Sequence, residues 1–598
     1  MRRNAIEFRR VLTPVFLALV LTTFGWEAAG QTPNHPAGDG GKAQTGQHQA
    51  ASKQNSGDTS GSPASVKAEK DQAEEIQVLK ELLAAQQKQI EQLRVALEEQ
   101  RQTIEHALQA KQDQEPQAPS LGQVASNDPV IPKSATRVEN SPGPKAALPV
   151  AAAPAAAAEK GTDEVSPLQF HIGTATIMPV GFMDFTTVFR NHTGGSGIGT
   201  NFGSIPYGST TFQGNLSEFR LSMQNSRIGF RVDGDVKGAH VIGYMESDFL
   251  GNNPGNVAVS SNSNTLRSRL YWLDVKRSKW EILGGQTWSL LTPGRSGISP
   301  LPGDLFFTQN IDVNYQVGLA WGRIPEFRFV YHPTSKVAFA VAASSPEQYI
   351  GGSAGGGKVT FPAAVSSTYT AGELNDGSTT LGVPNVAPDV IAKLAVDPSK
   401  KFHFELGGIM RNFKLWNPTD GTKHTAIGGG GFVNLNLELF KGFRLMTHNF
   451  WSDGGGRYIF GQAPDLISRV DGSPSLIHSS STVTGLEYTH KNWLIYSYYG
   501  GVYVGRNVTI DTNGKPVGYG YSGSSTGQNR AIQEATFGLN QTIWKEAKWG
   551  AVNFMAQYSY LTRNPWSVAT GQPANANMHM VFLNLRYSLP GSAPAAKK

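Results

Sequence analysis

Between Val180 and Leu589 the chain repeats one pattern about sixteen times. Each repeat is a stretch of roughly ten residues with apolar side chains at every second position, joined to the next alternately by a tight turn and by a long Gly/Ser/Asn loop. A strand turns successive side chains to opposite faces, so lipid on one flank and water on the other write alternation into every crossing. The expected fold class is therefore all-β, a sixteen-stranded antiparallel transmembrane β-barrel. In the last stretch Val581, Leu583, Leu585, Tyr587 and Leu589 form one row that would meet lipid, while Phe582, Asn584 and Arg586 would face the lumen. No helical period fits that row.

Composition excludes the main alternatives. A helical membrane protein needs spans of about twenty apolar residues. At 39% hydrophobic residues and a negative mean hydropathy, nothing beyond the N-terminus supplies one. The 67 glycines suit a chain rich in turns and loops, and the lack of cysteine suits an oxidising compartment. Net charge is only +6 over 598 residues, with no dense basic tract, so no nucleic-acid partner is expected.

Counting connections gives the topology. Short turns fall at Gly234–Gly238, Arg277–Lys279, Pro333–Lys336, Asp397–Lys400, Lys441–Gly442, His490–Asn492 and Lys545–Lys548, each with a lysine. Long loops run over Asn191–Asn215, Gly251–Asn264, Ser289–Pro325, Ser345–Pro388, Lys414–Thr425, Asp453–Ser481, Arg506–Asn529 and Arg563–Asn577. Seven turns alternating with eight loops require sixteen strands, with both chain ends on the short-turn, periplasmic side. Trp280, Phe402, Phe440, Phe443, Trp493, Trp544 and Trp549 cluster beside those turns, as an interfacial girdle would. A soluble sandwich or propeller gives no reason to sort loops this way.

The segments ahead of the barrel read separately. Arg2, Arg3, Arg9 and Arg10 flank an apolar run from Val11 to Trp26 that ends in Ala28, Ala29 and Gly30. This predicts a signal peptide over 1–30, the competing reading being a retained anchor. Residues 31–65 are a polar linker expected to be disordered. Over 66–112 the period becomes seven, with Ile76, Leu83, Ile90, Leu97 and Ile104 at a, and Leu79 and Leu93 at d beside Gln86 and Gln100. That predicts a periplasmic coiled coil with partner chains, against the alternative of a helix folded back on the barrel rim. A Pro/Ala-rich spacer follows over 113–168, then the barrel over 169–589 and a tail over 590–598.

A sixteen-stranded barrel is too wide for wall side chains to fill, so a water-filled channel is expected. Inward positions are polar: Asp184 and Arg190, then Glu218, Arg220, Ser222 and Gln224, then Glu246 and Asp248, then Arg267 and Arg269. Met183, Phe185, Phe219, Leu221, Met223 and Met245 are their outward neighbours. Parity slips between Met223 and Ile228, which predicts a bulge that turns Arg227 and Arg231 inward.

At this point a family resemblance enters. Gln224–Arg231 (QNSRIGFR), Tyr244–Gly251 (YMESDFLG), Arg267–Trp272 (RSRLYW) and Gly284–Leu291 (GGQTWSLL) resemble the early strands of the DcaP-like trimeric outer-membrane porins. The resemblance covers the first five strands best and the coiled coil loosely; the tail from Pro590 departs from it, since such barrels usually stop at a terminal aromatic. It implies a homotrimer in outer-membrane lipid, passing small hydrophilic solutes with carboxylate-bearing compounds such as dicarboxylates favoured.

The third long loop is the expected gate. It carries Asp304, Phe306, Phe307, Asp312 and Tyr315, and in similar porins the loop at this place narrows the lumen. Acids on it facing Arg220, Arg227, Arg231, Arg267 and Arg269 would set a transverse field and favour anions. Alternatively those arginines pair with Glu218, Glu246 and Asp248 within the wall and selectivity stays near neutral. A sugar- or phosphate-selective channel and an envelope-tethering protein are the competing functions. Catalysis has little footing. His403 and Glu405 share a strand face, and His448, Ser452 and Asp453 lie on another strand, but there is no GxSxG elbow, no HExxH and no metal-ligand spacing. No enzyme activity, metal or cofactor is expected.

Overall fold

The computed structural model describes residue 166 and residues 168–590, apart from loop stretches at 195–196, 209–210, 252–263, 301–304, 311–314, 353–356, 367, 370–373, 375–382, 384 and 461. The expected signal peptide, linkers, coiled coil with its Ile76 to Ile104 seam, and the tail beyond Pro590 lie outside the described residues, as do Asp304 and Asp312.

Sixteen antiparallel strands close on themselves. In chain order they are β1 (Ala175–Arg190), β2 (Glu218–Ser222 continued by Arg227–Val236), β3 (Ala239–Asp248), β4 (Arg267–Arg277), β5 (Trp280–Trp288), β6 (Arg323–Thr334), β7 (Val337–Ser344) and β8 (Asp389–Ser399). The second half comprises β9 (Phe402–Trp416), β10 (Lys423–Phe440), β11 (Phe443–Asp453), β12 (His478–His490), β13 (Trp493–Val504), β14 (Asn529–Glu546), β15 (Gly550–Pro565) and β16 (Ala576–Ser588). Each strand pairs with its sequence neighbour, and β1 meets β16 over Phe182↔Ser588 to Arg190↔Met580. Closure leaves no unpaired edge, the condition for a sheet to cross a bilayer.

The alternation holds in space. Met183, Phe185, Phe219, Leu221, Val581, Leu583 and Leu585 are exposed on the outer face, while Asp184, Arg190, Phe582, Asn584 and Arg586 are buried on the inner one. Among the described residues no helix is long and apolar enough to cross a membrane. The bulge on β2 is present: Ser222 faces Thr186 and Arg227 faces Phe182, so four residues oppose three. Arg227 is accordingly buried inward and Ile228 exposed outward.

The short turns are tight hairpins. Lys237 and Gly238 take φ values of +50° and +77°, the left-handed pair that matches strand twist. Trp280, Phe440, Trp493, Trp544 and Trp549 are exposed beside these turns, and Phe440 stacks on Phe443 at 4.7 Å. The described chain starts at this same end, where the Ser166 hydroxyl donates to the Lys548 carbonyl at 2.7 Å.

The long-loop end is where sequence and structure differ most. Strands run into the expected loops, β9 reaching Trp416 and β12 beginning at His478, and two ribbons form there, Leu466–Ser468 with Pro474–Leu476 and Asn507–Ile510 with Pro516–Tyr519. The loops also bind one another: Trp321 donates to the Tyr458 carbonyl, and Thr360 and Gly518 exchange backbone bonds at 3.0 and 2.8 Å. Phe202, Leu290, Leu291, Ile350, Phe361, Ile459 and Tyr519 pack beneath them. Inward strand residues such as Val330, Ala340, Ile391, Phe413, Phe450 and Ile532 join them, so the packed apolar core is built from loops and inner wall together.

Candidate functional site

Charged side chains line the inner wall of β16 and β1 to β4. Arg190 and Arg220 share Glu218 at 2.6 and 2.8 Å, and Arg586 pairs with Asp184 at 2.7 Å. Arg269 lies between Glu246 at 2.9 Å and Asp248 at 2.5 Å, Arg267 takes Asp248 at 2.7 Å, and Arg227 approaches Glu246 at 3.7 Å. Arg231 pairs with Asp233 at 2.7 Å. The structure thus brings the singled-out arginines together with Glu218, Glu246 and Asp248 on one wall. The pairs are not symmetric toward water. The Arg220 side chain is 40% exposed against 8% for Glu218, and Arg267 is 39% exposed against 0% for Asp248.

The third loop, between Trp288 and Arg323, folds into the lumen and reaches the far wall. Its Gly294 and Gly297 amides donate to Glu405 at 3.1 Å and Asp397 at 2.8 Å. Arg295 forms a two-pronged pair with Glu487 at 2.9 and 2.7 Å. Farther along, the Gln309 amide donates to Gln557 at 2.8 Å, Val317 to Glu534 at 3.0 Å and Ala320 to His448 Nε2 at 3.0 Å. The described part of the loop therefore meets the β8 to β15 wall chiefly through backbone amides and Arg295, because that wall carries acceptors that burial would otherwise leave unpaired. Its Asn310 side chain accepts from Gln557 at 2.6 Å, and its Gln309 side chain accepts from Asn584 and Arg586 of β16, each at 3.1 Å. Asp304 and Asp312, the acids expected to face the arginine wall, lie outside the described residues.

Aromatic packing holds the same loop. Trp288, Tyr315 and Trp321 stand within 4.6 to 6.0 Å of one another, Phe460 caps Tyr315 and Trp321, and Phe306 sits edge-on to Tyr498 at 5.1 Å. Close approach needs glycine: a Cβ on Gly500 would overlap the Val317 carbonyl, and one on Gly318 (φ +87°) the Thr482 carbonyl. Small pockets lie beside the loop, one lined by Arg295, Arg328, Lys393 and Glu405 and another by Gln309, Asn540, Asn553 and Arg586.

The histidines considered for chemistry serve this arrangement. Asn434 donates to Glu405 at 2.6 Å and its Oδ1 lies 2.6 Å from His448 Nδ1, which assigns the proton to Nδ1 and leaves Nε2 to accept from Ala320. His403 is held between Asp397 at 2.9 Å and Glu405 at 3.2 Å. Ser452 bonds Ser479 and Asp453 bonds His478, so neither joins a nucleophile–base pair with His448. Among the described residues no group of three or more His, Cys, Asp or Glu could hold a metal ion.

Sequence reading missed several anchors. Arg411 is fully buried between Asp389 at 3.0 Å and Asp465 at 2.8 Å, joining β8 and β9 to the sixth loop. Burial lifts the Asp465 carboxyl above its ordinary range, while Arg411 and the amides of Tyr349 and Arg457 pull it back. Arg328, Lys393, Glu487 and Glu534 also sit at inward positions. Charge on the inward parity of β6, β8, β12 and β14 was the available signal.

No family model and no curated protein matches the chain. Among solved structures, the outer membrane channel DcaP of Acinetobacter baumannii aligns with a TM-score of 0.50 and 17% identity, over 69% of this chain and 97% of that one. The two share a fold. The resemblance read from the early strands is matched at that level. An anion-selective porin from Comamonas acidovorans (TM-score 0.39, 10% identity, 69% of this chain and 100% of that one) and OprB of Pseudomonas putida (0.39, 12%, 69% and 94%) also align, at a distance that adds nothing to the argument.

Proposed function

We propose that the protein is an outer-membrane porin, a passive channel for small hydrophilic solutes that favours anions such as dicarboxylates. One observation carries this reading: a closed barrel with an apolar exterior encloses a charged wall narrowed by an inserted loop. Anion preference is supported by the order of charges toward water. Glu218 and Asp248 lie behind Arg220 and Arg267, so a solute in the lumen meets guanidinium before carboxylate.

A sugar-selective channel would bare a run of aromatic faces to solute. The rings that do line up, Trp288, Tyr315, Trp321 and Phe306, are buried between loop and wall, which favours the general channel. The reading further includes export by the N-terminal segment and a homotrimer tied by the coiled coil in the periplasm, which leaves envelope tethering as an added role. Planar-bilayer current with its reversal potential in a salt gradient tests it. A purified protein that passes no current refutes the porin; a cation-selective current refutes the preference; block by sugars but not dicarboxylates favours the competing channel. Deleting Ser65 to Ala110 weakens the trimer without abolishing current, as gel mobility and conductance would show.

A further inference from the structure

We propose that the outer rim around Trp566 binds a phosphate-bearing lipid of the outer leaflet. This rests on the porin reading only in taking the long-loop end to face that leaflet. Arg506 and Arg530 are both exposed, and their guanidinium carbons lie 4.5 and 5.9 Å from the centroid of the Trp566 ring. Neither guanidinium has an ion pair or hydrogen bond among the described residues, in contrast to the arginines of the lumen. Two cations gathered on one indole repel each other, and weak exposed cation–π contacts are all that holds them there. An anion placed between the two forks removes the conflict. Arginine suits phosphate in particular, because its planar donors match two oxygens at once.

The platform is fixed. The Trp566 amide donates to the Gln528 carbonyl at 2.9 Å, its indole Nε1–H donates to the Val504 carbonyl at 3.1 Å, and the ring meets Tyr503 edge-on at 6.3 Å. Arg530 stands at the register shift between Asn529 and Ala531, an inserted residue released from strict alternation.

The surface below fits a lipid better than a free anion. Tyr499, Tyr503, Phe537 and Tyr560 are exposed on the outer face of β13 to β15. Register places Ala531 opposite Tyr503, and Ala535 between Tyr499 and Tyr560, so the outward row of β14, Ala531, Gln533, Ala535 and Phe537, runs down from the arginines between rings. Exposed rings below, with cations at the upper end, offer contacts to an acyl chain and to its headgroup in the order a leaflet presents them.

The test uses the full chain in phosphatidylcholine nanodiscs containing diphosphorylated lipid A, with bound lipid counted by native mass spectrometry. Wild type retains lipid A and releases the dephosphorylated form. R506Q/R530Q binds it roughly tenfold or more weakly, as loss of two charge-assisted contacts requires. R506K/R530K, which keeps charge but not the fork, falls between, and unheated gel mobility confirms that each barrel is folded. Equal retention of both lipid forms by wild type, or undiminished binding by R506Q/R530Q, overturns the proposal. Inorganic phosphate displacing lipid A at equal concentration also overturns it, since the site would then be one for free anions. Bilayer current is read on the same samples: wild-type current persists in the variants, and an absence of current with lipid binding intact would count against the porin alone.

Discussion

The two sides of the lumen use the same chemistry for different ends. On β16 and β1 to β4 the carboxylates hold arginines of the wall itself, and several guanidinium heads stay wet. On β9 to β15 the acceptors Glu405, Glu487, Glu534, Gln557 and His448 hold the third loop. One side presents charge to the passage; the other spends its polar groups on fixing an obstruction. In the channel proposed, selectivity and bore fall to different residues.

Substitutions can break this division. The largest effect is expected from Glu487→Ala, which removes the two-pronged carboxylate partner of the buried Arg295 at a cost of about 3–5 kcal/mol. Thermal unfolding should fall and single-channel conductance should rise as the loop leaves the wall. Gly500→Val forces a side chain against Val317, an overpacking cost of about 1–3 kcal/mol, and should enlarge the channel with selectivity unchanged. His448→Ala removes the acceptor of the Ala320 amide, worth about 1–3 kcal/mol for a buried orphan, and should give noisier current with little change in mean conductance. The smallest change in stability belongs to R220Q/R267Q. Glu218 keeps Arg190 and Asp248 keeps Arg269 in this variant, so melting should hold while the reversal potential moves toward cation preference. A stability loss there, or a selectivity change in Gly500→Val, would erase the distinction between the two sides.

Much of the wall was legible because lipid and water impose a period of two. The parity of Met183, Asp184 and Phe185, the slip before Arg227, and the lysine-bearing turns each follow from a local rule, and each is found in place. The loop anchors were not legible. Val317 and Glu534 are 217 residues apart, and nothing in either neighbourhood marks the partner. The acids Asp304 and Asp312 drew attention because charge is visible in sequence, whereas the described anchoring runs through the amides of Gly294, Gly297 and Val317, which every residue type but proline possesses. Arg220 and Arg267 were readable as inward; which member of each pair meets water depends on how the side chains layer, a three-dimensional outcome.

The seam between β1 and β16 has a further consequence. A ring of hydrogen-bonded neighbours can neither gain a member nor lose one without exposing bare amides to hydrocarbon, so its circumference is settled once it has assembled. Any adjustment of calibre during the life of the protein must come from the segment threaded inside. If the channel proposed is right, its permeability can be retuned by editing some thirty loop residues while the hoop around them stays untouched.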